Sequence, residues 1–437
     1  MSALSSAASS WGRLSYASPT EVRRLVSRSS TLPVSEGKSW LPYGNGRSYG
    51  DSCLNPGQGV LDCRGLDKYI AWDPETGDFT CEGGVLLSEI LRFALPRGWF
   101  LPVTPGTQWV TVGGAIANDV HGKNHHACGS FGCHVRSAEL LRSDGSRKFI
   151  SRDRNSELFA GTIGGLGLTG VITQATIRLK RVPGPWLLET KKRFRSLAEF
   201  FDVDREFKHE REYTVAWIDC VAPKRARGRG IYMAADHFVT DLADKKPGAL
   251  MHMLFHPPCS LVNPLTLRAF NFAYYNRPLK AEAHLVHYRP FFYPLDSVLE
   301  WNRIYGPKGL YQFQCVIPRG PSREAVAALL ELISAHRAGS FLAVMKSFGD
   351  KPSDGILSFP RAGITLSLDF PNRGESTRRL FAELEAAVMD FGGTLYPAKD
   401  ALMTPGGFRA SYPKWEKMRP HIDPHFSSAF WRRVTDG

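Results

Sequence analysis

The order of apolar and polar residues predicts short strands between residues 40 and 182. Apolar and polar positions alternate in GVLDC, YIAWD, FTCEGGV, RSAELLRSDG and VITQATIRLKRV, which are separated by Gly, Pro, Asn and Asp. Such an alternation turns one face of a strand towards a core. One segment among them, LLSEILRFALPRG, has helical spacing instead. This part of the chain is therefore predicted to be α+β with a single helix.

An earlier helix is predicted at SPTEVRRLV, residues 18–26. Ser18 can cap it, Pro19 suits its first position and Glu21 completes a capping box.

The last third of the chain has a β-α-β-β-α-β order. Four segments read as strands: GLYQFQCVIP, SFLAVMKSFG, AGITLSLDFP and TLYPA. Two read as helices: PSREAVAALLELISAHRAG and ESTRRLFAELEAAVMDFGG. This order predicts an antiparallel sheet with both helices on one face.

The middle of the chain, from about 186 to 300, has neither period. Its aromatic and Pro-rich segment LMHMLFHPPCSLVNPLTLRAFNFAYYNRPLK suits an ordered loop, a lid, or an apolar surface that touches lipid. The PGPW sequence at 183–186 is a natural domain boundary.

Composition predicts a globular protein of two domains. With 437 residues, of which 43% are hydrophobic, the chain can bury two cores without disulfides or a structural metal. The eight cysteines have no repeated spacing, which favours reduced thiols in the cytoplasm. MSALSSAASSWGRL lacks the basic start and apolar core of a signal peptide, and no window approaches the roughly 20 apolar residues of a membrane span. A soluble or peripheral protein is expected.

The net charge of +13 favours an acidic partner: nucleic acid, an anionic membrane, or a phosphorylated substrate or cofactor. Nucleic acid is not expected, because the basic residues are dispersed and their densest run, KRARGRG at 224–230, reads as a loop.

Two glycine clusters have different meanings. GGLGLTGVI fits G-x-G-x-x-G, but a strand follows it rather than the helix that a Rossmann site needs, so its glycines are interpreted as a tight turn. YGNGRSYGD, at 43–51, also lacks a following helix. Its backbone N–H groups could still surround a phosphate, with Arg47 adding charge, although a plain turn fits as well.

The third cluster is TPGTQWVTVGGAIANDVHGKNHHACGSFG, at 104–132. Its six glycines leave space that a flat cofactor would fill. His121 and His125 are four residues apart, and His126, Cys128, Cys133 and His134 follow, but their spacing matches no closed zinc pattern. No metal is predicted.

Taken in chain order, YGNGRSYGD, the TPGT segment at 104–132 and GGLGLTGVI resemble the FAD domain of the vanillyl-alcohol oxidase and p-cresol methylhydroxylase flavoproteins. The resemblance implies an FAD-binding domain at 1–183 that is completed by 394–437, and a substrate-binding cap domain with an antiparallel sheet at 184–393. It also implies FAD that is bound non-covalently, because the loop GNGRSYG lacks the histidine that carries flavin in many relatives.

The resemblance assigns roles to individual residues. Lys399, His121 and Tyr49 match catalytic positions; Lys399 would supply charge beside the flavin, and the other two would handle the proton or hold the hydroxyl. Gln314, Lys346, Ser367 and Phe292 match substrate positions. The cofactor positions are Tyr43, Gly44, Asn45, Gly46, Arg47, Ser48, Tyr49, Gly50, Pro105, Gly106, Thr107, Thr111, Val112, Gly113, Gly114, Ala117, Asn118, Gly122, Lys123, Asn124, Ile172 and Lys399.

Two departures leave the substrate open. The most similar family members carry a cysteine and an asparagine in the strand that here reads Thr365-Leu366-Ser367, and a tyrosine in place of Phe292. Ser367 is not a comparable nucleophile.

The implied reaction is FAD-dependent oxidation of a sugar secondary hydroxyl. The resemblance points to the 2′-hydroxyl of a polyprenyl-phosphoryl-β-D-ribose, used for arabinan precursors of the cell wall, with an NAD-dependent reductase acting on the keto product. The enzyme would be cytoplasmic and peripheral at the inner membrane. Two alternatives stay open: an oxidase or dehydrogenase of a soluble alditol or aldonolactone, and a basic binding protein without catalysis.

Overall fold

The computed structural model describes residues 8–34, 37–245, 248, 251–253, 255 and 257–436. The first seven residues of the predicted non-signal N-terminus, and Leu250, Leu254 and His256 of the aromatic segment, lie outside the described residues. The strands are β1 Glu21–Arg24, β2 Trp40–Tyr43, β3 Gly59–Asp62, β4 Tyr69–Trp72, β5 Asp78–Glu82, β6 Trp99–Phe100, β7 Val135–Leu141, β8 Arg147–Ser151, β9 Val171–Arg178, β10 Lys180–Arg181, β11 Trp186–Phe194, β12 Tyr213–Ile218, β13 Gly230–His237, β14 Met251–His252, β15 His284–His287, β16 Val298–Leu299, β17 Leu310–Ile317, β18 Val344–Phe348, β19 Gly363–Pro371 and β20 Thr394–Leu395. The α-helices are α1 Leu87–Ala94, α2 Val112–Ala117, α3 His125–Cys128, α4 Ser156–Thr162, α5 Leu197–Phe207, α6 Pro264–Asn276, α7 Tyr288–Phe292, α8 Ser322–Ala335, α9 Glu375–Asp390, α10 Pro405–Ser411 and α11 Ala429–Thr435.

A parallel sheet of order β1-β3-β2 opens the fold, and it corrects the first prediction. Residues predicted as a helix at 18–26 form β1, which pairs with β3 from Glu21 opposite Gly59 to Arg24 opposite Asp62. A nine-residue helix is marginal in isolation, so pairing with a buried strand outweighs the local capping pattern. The helix prediction was wrong for that reason.

The second sheet is antiparallel, in the order β4-β5-β9-β7-β8. All five strands predicted by alternation between residues 40 and 182 are present, and so is the predicted helix α1. The prediction of a single helix there was wrong, because α2, α3 and α4 also form. The sequence of α2, VGGAIA, did not predict a helix, because its two glycines disfavour the helical backbone conformation.

The third sheet is antiparallel, in the order β15-β11-β13-β12-β18-β19-β17-β20. The predicted β-α-β-β-α-β order is confirmed in β17 to β20 with α8 and α9. Side chains such as Phe313, Met345 and Leu368 on its outer face join one buried core with residues of α8, α9 and also α5. The inner face is left for a cavity.

The middle of the chain is more regular than its sequence indicated. Residues 186–237 supply three strands of the large sheet, and α6 forms within the aromatic segment. Asn263 caps α6 by accepting hydrogen bonds from the backbone N–H groups of Leu265 and Thr266. Aromatic side chains on both sides of α6 obscure its period, so the irregular-loop interpretation was wrong for residues 264–276.

Segments from the two ends of the chain are joined. The backbone N–H of Trp40 donates to the carbonyl of His425 at 2.7 Å, and the Tyr396 hydroxyl donates to the carbonyl of Asn118 at 2.8 Å. The domain bounds at 183 and 394 stay a prediction. Within the described ranges, no helix combines the length and apolar character needed to cross a bilayer. All eight cysteines are free thiols.

Candidate active site

A cavity of about 930 Å³ lies between the inner face of the eight-stranded sheet and the glycine-rich loops at 43–49 and 104–122. Residues 396–399, which follow β20, form part of the same wall. The cavity therefore collects residues from distant parts of the sequence.

One end of the inner sheet face is polar. Gln312 and Gln314 alternate along β17, and each faces a polar residue of β19: Asp369 and Ser367, respectively. Lys346 of β18 points to the same side. Because alternate residues of a strand share a face, the sheet presents these five side chains together in the cavity.

His121 is held at the centre of this polar end. Gln314 Nε2 lies 2.8 Å from its Nε2, and Lys346 Nζ lies 3.2 Å from its Nδ1. Burial, and then the nearby Lys346, hold the pKa of His121 well below its usual range. The imidazole is therefore neutral at pH 7, and one of its ring nitrogens can accept a hydrogen bond.

Three lysines, Lys123, Lys346 and Lys399, line the cavity together with His121. Lys123 Nζ donates to the Phe292 carbonyl at 3.0 Å, and Lys346 Nζ to the Gly122 carbonyl at 3.4 Å. Withdrawal from solvent lowers the pKa of Lys346 to about 7, and repulsion from Lys123 and Lys399 adds to this. Withdrawal from solvent also lowers the pKa of Lys123 to about 8. Because charged groups in such places are normally paired, Lys123 and Lys346, whose hydrogen bonds go to carbonyl groups, suit an anion.

Lys399 lies between Tyr49 and Asp369. Its ammonium nitrogen is 4.0 Å from the centre of the Tyr49 ring. Burial raises the pKa of Asp369, and the charge of Lys399 opposes that rise. Gln312 Nε2 donates to Asp369 Oδ1. Lys399 is thus oriented by an aromatic face and a buried carboxyl group.

The loop at 43–50 offers backbone donors. The N–H groups of Asn45, Gly46, Arg47 and Ser48 have no acceptor among the residues that the structure describes. The Arg47 guanidinium lies 4.4 Å above the Trp11 ring, and its Nε is buried without a partner. Successive free N–H groups beside an arginine suit a phosphate.

Glycines let the two cavity loops approach closely. A Cβ at Gly44 would come within 2.4 Å of Thr111 Oγ1, and one at Gly113 within 3.1 Å of the Gly83 carbonyl. A Cβ at Gly106, which lines the cavity, would meet nothing within 4 Å. The glycines thus bring the walls together and leave the interior open.

Arg433 of α11 joins the two segments that carry Tyr49 and Lys399. Its guanidinium donates to Asp51 at 2.8 and 2.9 Å, and to Asp400 Oδ2 at 3.0 Å. The Tyr49 N–H also donates to the Ala398 carbonyl at 3.0 Å. We call Asp51, Arg433 and Asp400 the carboxylate clamp.

Comparison with known proteins explains this arrangement. The sequence-family model for the FAD binding domain matches residues 17–151. Decaprenylphosphoryl-β-D-ribose oxidase of Mycolicibacterium smegmatis is 35% identical over 97% of this chain and 96% of its own length. The chain belongs to the FAD-dependent oxidoreductase family of that enzyme. An uncharacterised Streptomyces coelicolor protein is 32% identical over 80% of the chain and all of its own length. Cytokinin dehydrogenase 7 of Oryza sativa subsp. japonica is 30% identical over 38% of the chain and 32% of its own length.

Family membership makes this chain an FAD-dependent oxidoreductase with the p-cresol methylhydroxylase type of FAD-binding fold, which confirms the resemblance. The cavity fits the cofactor, because glycine walls, free N–H groups and an unpaired arginine atom suit a flat ring system joined to a pyrophosphate.

Most predicted residues of the family site line the cavity. These are Tyr43, Gly44, Asn45, Gly46, Arg47, Ser48, Tyr49, Pro105, Gly106, Thr107, Thr111, Gly113, Gly114, Ala117, Asn118, His121, Gly122, Lys123, Ile172, Phe292, Gln314, Lys346, Ser367 and Lys399. Their individual roles stay predictions.

Three predicted cofactor residues lie behind the wall instead. Val112 is fully buried in a core. Asn124 donates to the Pro102 carbonyl at 2.8 Å. Gly50 is pressed against Asp400, whose carbonyl oxygen would be 1.6 Å from an added Cβ. These residues support the family's cofactor wall rather than line it.

Several cavity residues were missed from the sequence. Gln312 precedes Gln314 by two residues, and Asp369 follows Ser367 by two residues. Because alternate residues of a strand share a face, strand alternation could have found both. Gly167 and Gly170 line the cavity, although the sequence indicated only a turn there. Trp217 also lines it, and no local pattern marks this residue.

The other histidines of the HGKNHH segment serve the fold. His125 Nδ1 accepts from the Gly349 N–H at 3.1 Å, and His126 Nε2 lies 2.9 Å from the Arg211 carbonyl. Across the described part of the chain, no group of His, Cys, Asp and Glu is placed to hold a metal ion.

Proposed function

We propose that this enzyme oxidises the 2′-hydroxyl of a polyprenyl-phosphoryl-β-D-ribose to the 2-keto sugar. The observation that carries the proposal is the pair of cavity lysines, Lys123 and Lys346, beside neutral His121, because this substrate combines a hydroxyl with a phosphate on the neighbouring carbon. The 35% identity to an oxidase of such a sugar over nearly the whole chain supports it.

The proposal includes the two-domain plan. Residues 1–183 and 394–437 would form the FAD domain and 184–393 the substrate cap, so that substrate and cofactor meet in the cavity between them. The separate sheets before and after residue 183 support the first boundary, whereas β20, at Thr394–Leu395, still pairs with β17 of the large sheet.

Bound FAD supplies the two-electron acceptor for the hydrogen of the alcohol carbon. Residues 45–48 and Arg47 would hold its pyrophosphate, and the glycine loop at 104–114 would hold its ring system. His121 would hold and orient the substrate hydroxyl, because its ring is neutral and borders the cavity; its low pKa makes it a weak base. Gln314 orients this ring through their 2.8 Å contact.

The lysines divide two tasks. Lys346 and Lys123 attract the substrate phosphate, while Lys399 stabilises the negative charge that develops during oxidation. Tyr49 and Asp369 keep Lys399 in place. Ser367 and Phe292 border the same space and contact the sugar.

The keto product suggests a partner enzyme, and the prenyl chain of the substrate suggests where this enzyme works. A 2-keto sugar can be reduced to the epimeric alcohol, so we infer an NAD-dependent reductase as partner. The prenyl chain holds the substrate in a bilayer, so we infer that the enzyme works at the cytoplasmic side of the inner membrane.

Anaerobic flavin bleaching tests the proposed substrate. A short-chain prenyl-phosphoryl-β-D-ribose should bleach the purified holoenzyme rapidly, whereas its 2′-deoxy analogue should bind without bleaching. Free ribitol serves as the comparison for a soluble polyol. Equal bleaching rates with ribitol would replace the proposal by a polyol oxidase, and absence of bleaching with every compound would contradict it.

A further inference from the structure

The outward face of α6 carries large apolar side chains. Leu265 is 78% exposed and Phe272 is 64% exposed, and Ala269 and Ala273 lie between or beside them on the same exposed stripe. Leu261, just before the helix, is also exposed. A soluble helix normally turns such residues inward, so this stripe is suited to a partner.

Packing of α6 does not depend on this stripe. The opposite face holds the helix: Asn271 Nδ2 donates to Asp219 Oδ1 at 2.9 Å, and the Tyr275 hydroxyl donates to the Phe194 carbonyl at 3.3 Å. Leu267 is buried on that inner face. The apolar residues outside are therefore additional to those that fold the helix.

The chain segment that carries the stripe is basic. From Pro257 to Ala281 the chain contains three basic residues and no acidic residue, and two of the three, Arg268 and Lys280, are exposed. The net charge of the whole chain is +13. Apolar side chains among basic ones match the interface of a bilayer with anionic headgroups. The apolar side chains can enter the acyl-chain region, while the basic side chains bind the headgroups.

The helix also joins the stripe to the active-site cavity. Tyr274 and Arg277, at its end, line the cavity, and the Tyr274 ring lies 4.5 Å from that of Trp217 inside it. One side of α6 thus faces solvent, while the other closes the cavity.

We propose that the outward face of α6 docks on an anionic lipid bilayer, which places the cavity beside membrane-held substrate. Only the identity of that substrate rests on the proposed function. The docking itself follows from the exposed apolar stripe and its basic surroundings.

Vesicle sedimentation tests the docking without any substrate. The holoenzyme should sediment with vesicles of phosphatidylglycerol and phosphatidylcholine, and less with phosphatidylcholine alone. The double variant L265S/F272S should lower the partition coefficient about tenfold or more, because it removes two apolar side chains from the interface. The matched control V26S/F149S replaces exposed apolar residues elsewhere, at 63% and 41% exposure, and should bind as the parent does.

Three results would overturn the inference: no vesicle binding by the parent, equal loss of binding in both double variants, or self-association that L265S/F272S abolishes in the absence of vesicle binding. The last result would assign the stripe to a second copy of this chain. A retained flavin spectrum verifies that each variant is folded.

A second readout separates docking from chemistry. L265S/F272S should slow flavin reduction by prenyl-phosphoryl-β-D-ribose embedded in vesicles, but not by its short-chain form in solution. Vesicle binding without reduction by either form would refute the proposed function and leave docking intact. Reduction of the short-chain form with equal vesicle rates for parent and variant would refute docking alone.

Discussion

Lys346 lies beside His121, and its ammonium group has an unusually low pKa. Withdrawal from solvent, together with Lys123 and Lys399, brings its pKa to about 7. Its charge is present below that pH and lost above it. A residue of this kind can bind an anionic substrate at neutral pH and release it when the pH rises.

We therefore expect the KM for the phosphorylated sugar to rise as pH increases through about 7, by up to about tenfold per pH unit. Steady-state kinetics from pH 6 to 9 would measure this, with the substrate phosphodiester remaining anionic throughout. Lys346→Met should have a high KM without the rise near pH 7, keeping only the rise near pH 8 that Lys123 causes. Lys346→Arg, which keeps its charge, should have a low KM across the range; a parent-like rise in Lys346→Met would refute the role.

Lys399 is predicted to act on the rate of oxidation rather than on cofactor binding. Lys399→Met should retain FAD and slow flavin reduction by about a hundredfold or more, because a preorganised positive charge is lost. Anaerobic stopped-flow absorbance measures that rate. Lys148→Met, at an exposed lysine, is the control. An unchanged reduction rate in Lys399→Met would remove this lysine from the mechanism.

Among the elements, α11 has an influence beyond its seven residues. Its Arg433 holds Asp51, which follows Tyr49 by two positions, and Asp400, which follows Lys399 directly. The carboxylate clamp therefore fixes the spacing of two predicted catalytic residues without touching the cavity itself.

Arg433→Gln should lower the free energy of unfolding by about 3–5 kcal/mol, because two carboxylates lose their common partner. It should also lower kcat, since Tyr49 and Lys399 lose their support. Urea unfolding and steady-state kinetics measure the two effects. Arg432→Gln is the matched control, because Arg432 donates to the neutral side chains of Asn55 and Ser39. Equal effects of both variants would show that the clamp has no special role.

Strands were predicted correctly where the alternation of apolar and polar residues reflects the burial of one strand face. The strands of the last third, and those around β7 and β9, were read correctly because each has one apolar face. The helix at 18–26 failed because pairing with β3 is decided by residues far along the chain. The helix α6 was missed because its outward face is apolar too, which removes the usual contrast.

Site prediction had a similar limit. The glycine loops were found from the sequence pattern, and Lys399 was found through family resemblance; all of them line the cavity. Trp217 and Asp296 also line it, but only the folded sheet and the loop after α7 bring them there. The contact of His121 with Gln314 spans 193 residues, so no local pattern could reveal it.

For the whole molecule, the cavity predicts that stability depends on FAD. Removing FAD leaves the N–H groups of residues 45–48 and the glycine walls without a partner. We expect the flavin-free protein to unfold at a lower temperature, and FAD at about a hundred times its Kd to restore about 2.7 kcal/mol. Thermal unfolding followed by circular dichroism measures this.

Riboflavin is the control ligand, because it has the ring system without the pyrophosphate. It should restore less stability than FAD if the loop donors hold phosphate; equal restoration would refute that assignment. Acid precipitation of the holoenzyme should release all flavin into solution, whereas flavin retained in the pellet would contradict non-covalent binding.

The clamp has a consequence for the order of events during biosynthesis. Arg433 is made 382 residues after Asp51, its partner. While the ribosome is still extending the intervening chain, the segments that carry Tyr49 and Lys399 cannot be locked together. The clamp can therefore form only after translation has passed residue 433, so joining these two segments is a late step in the maturation of this enzyme.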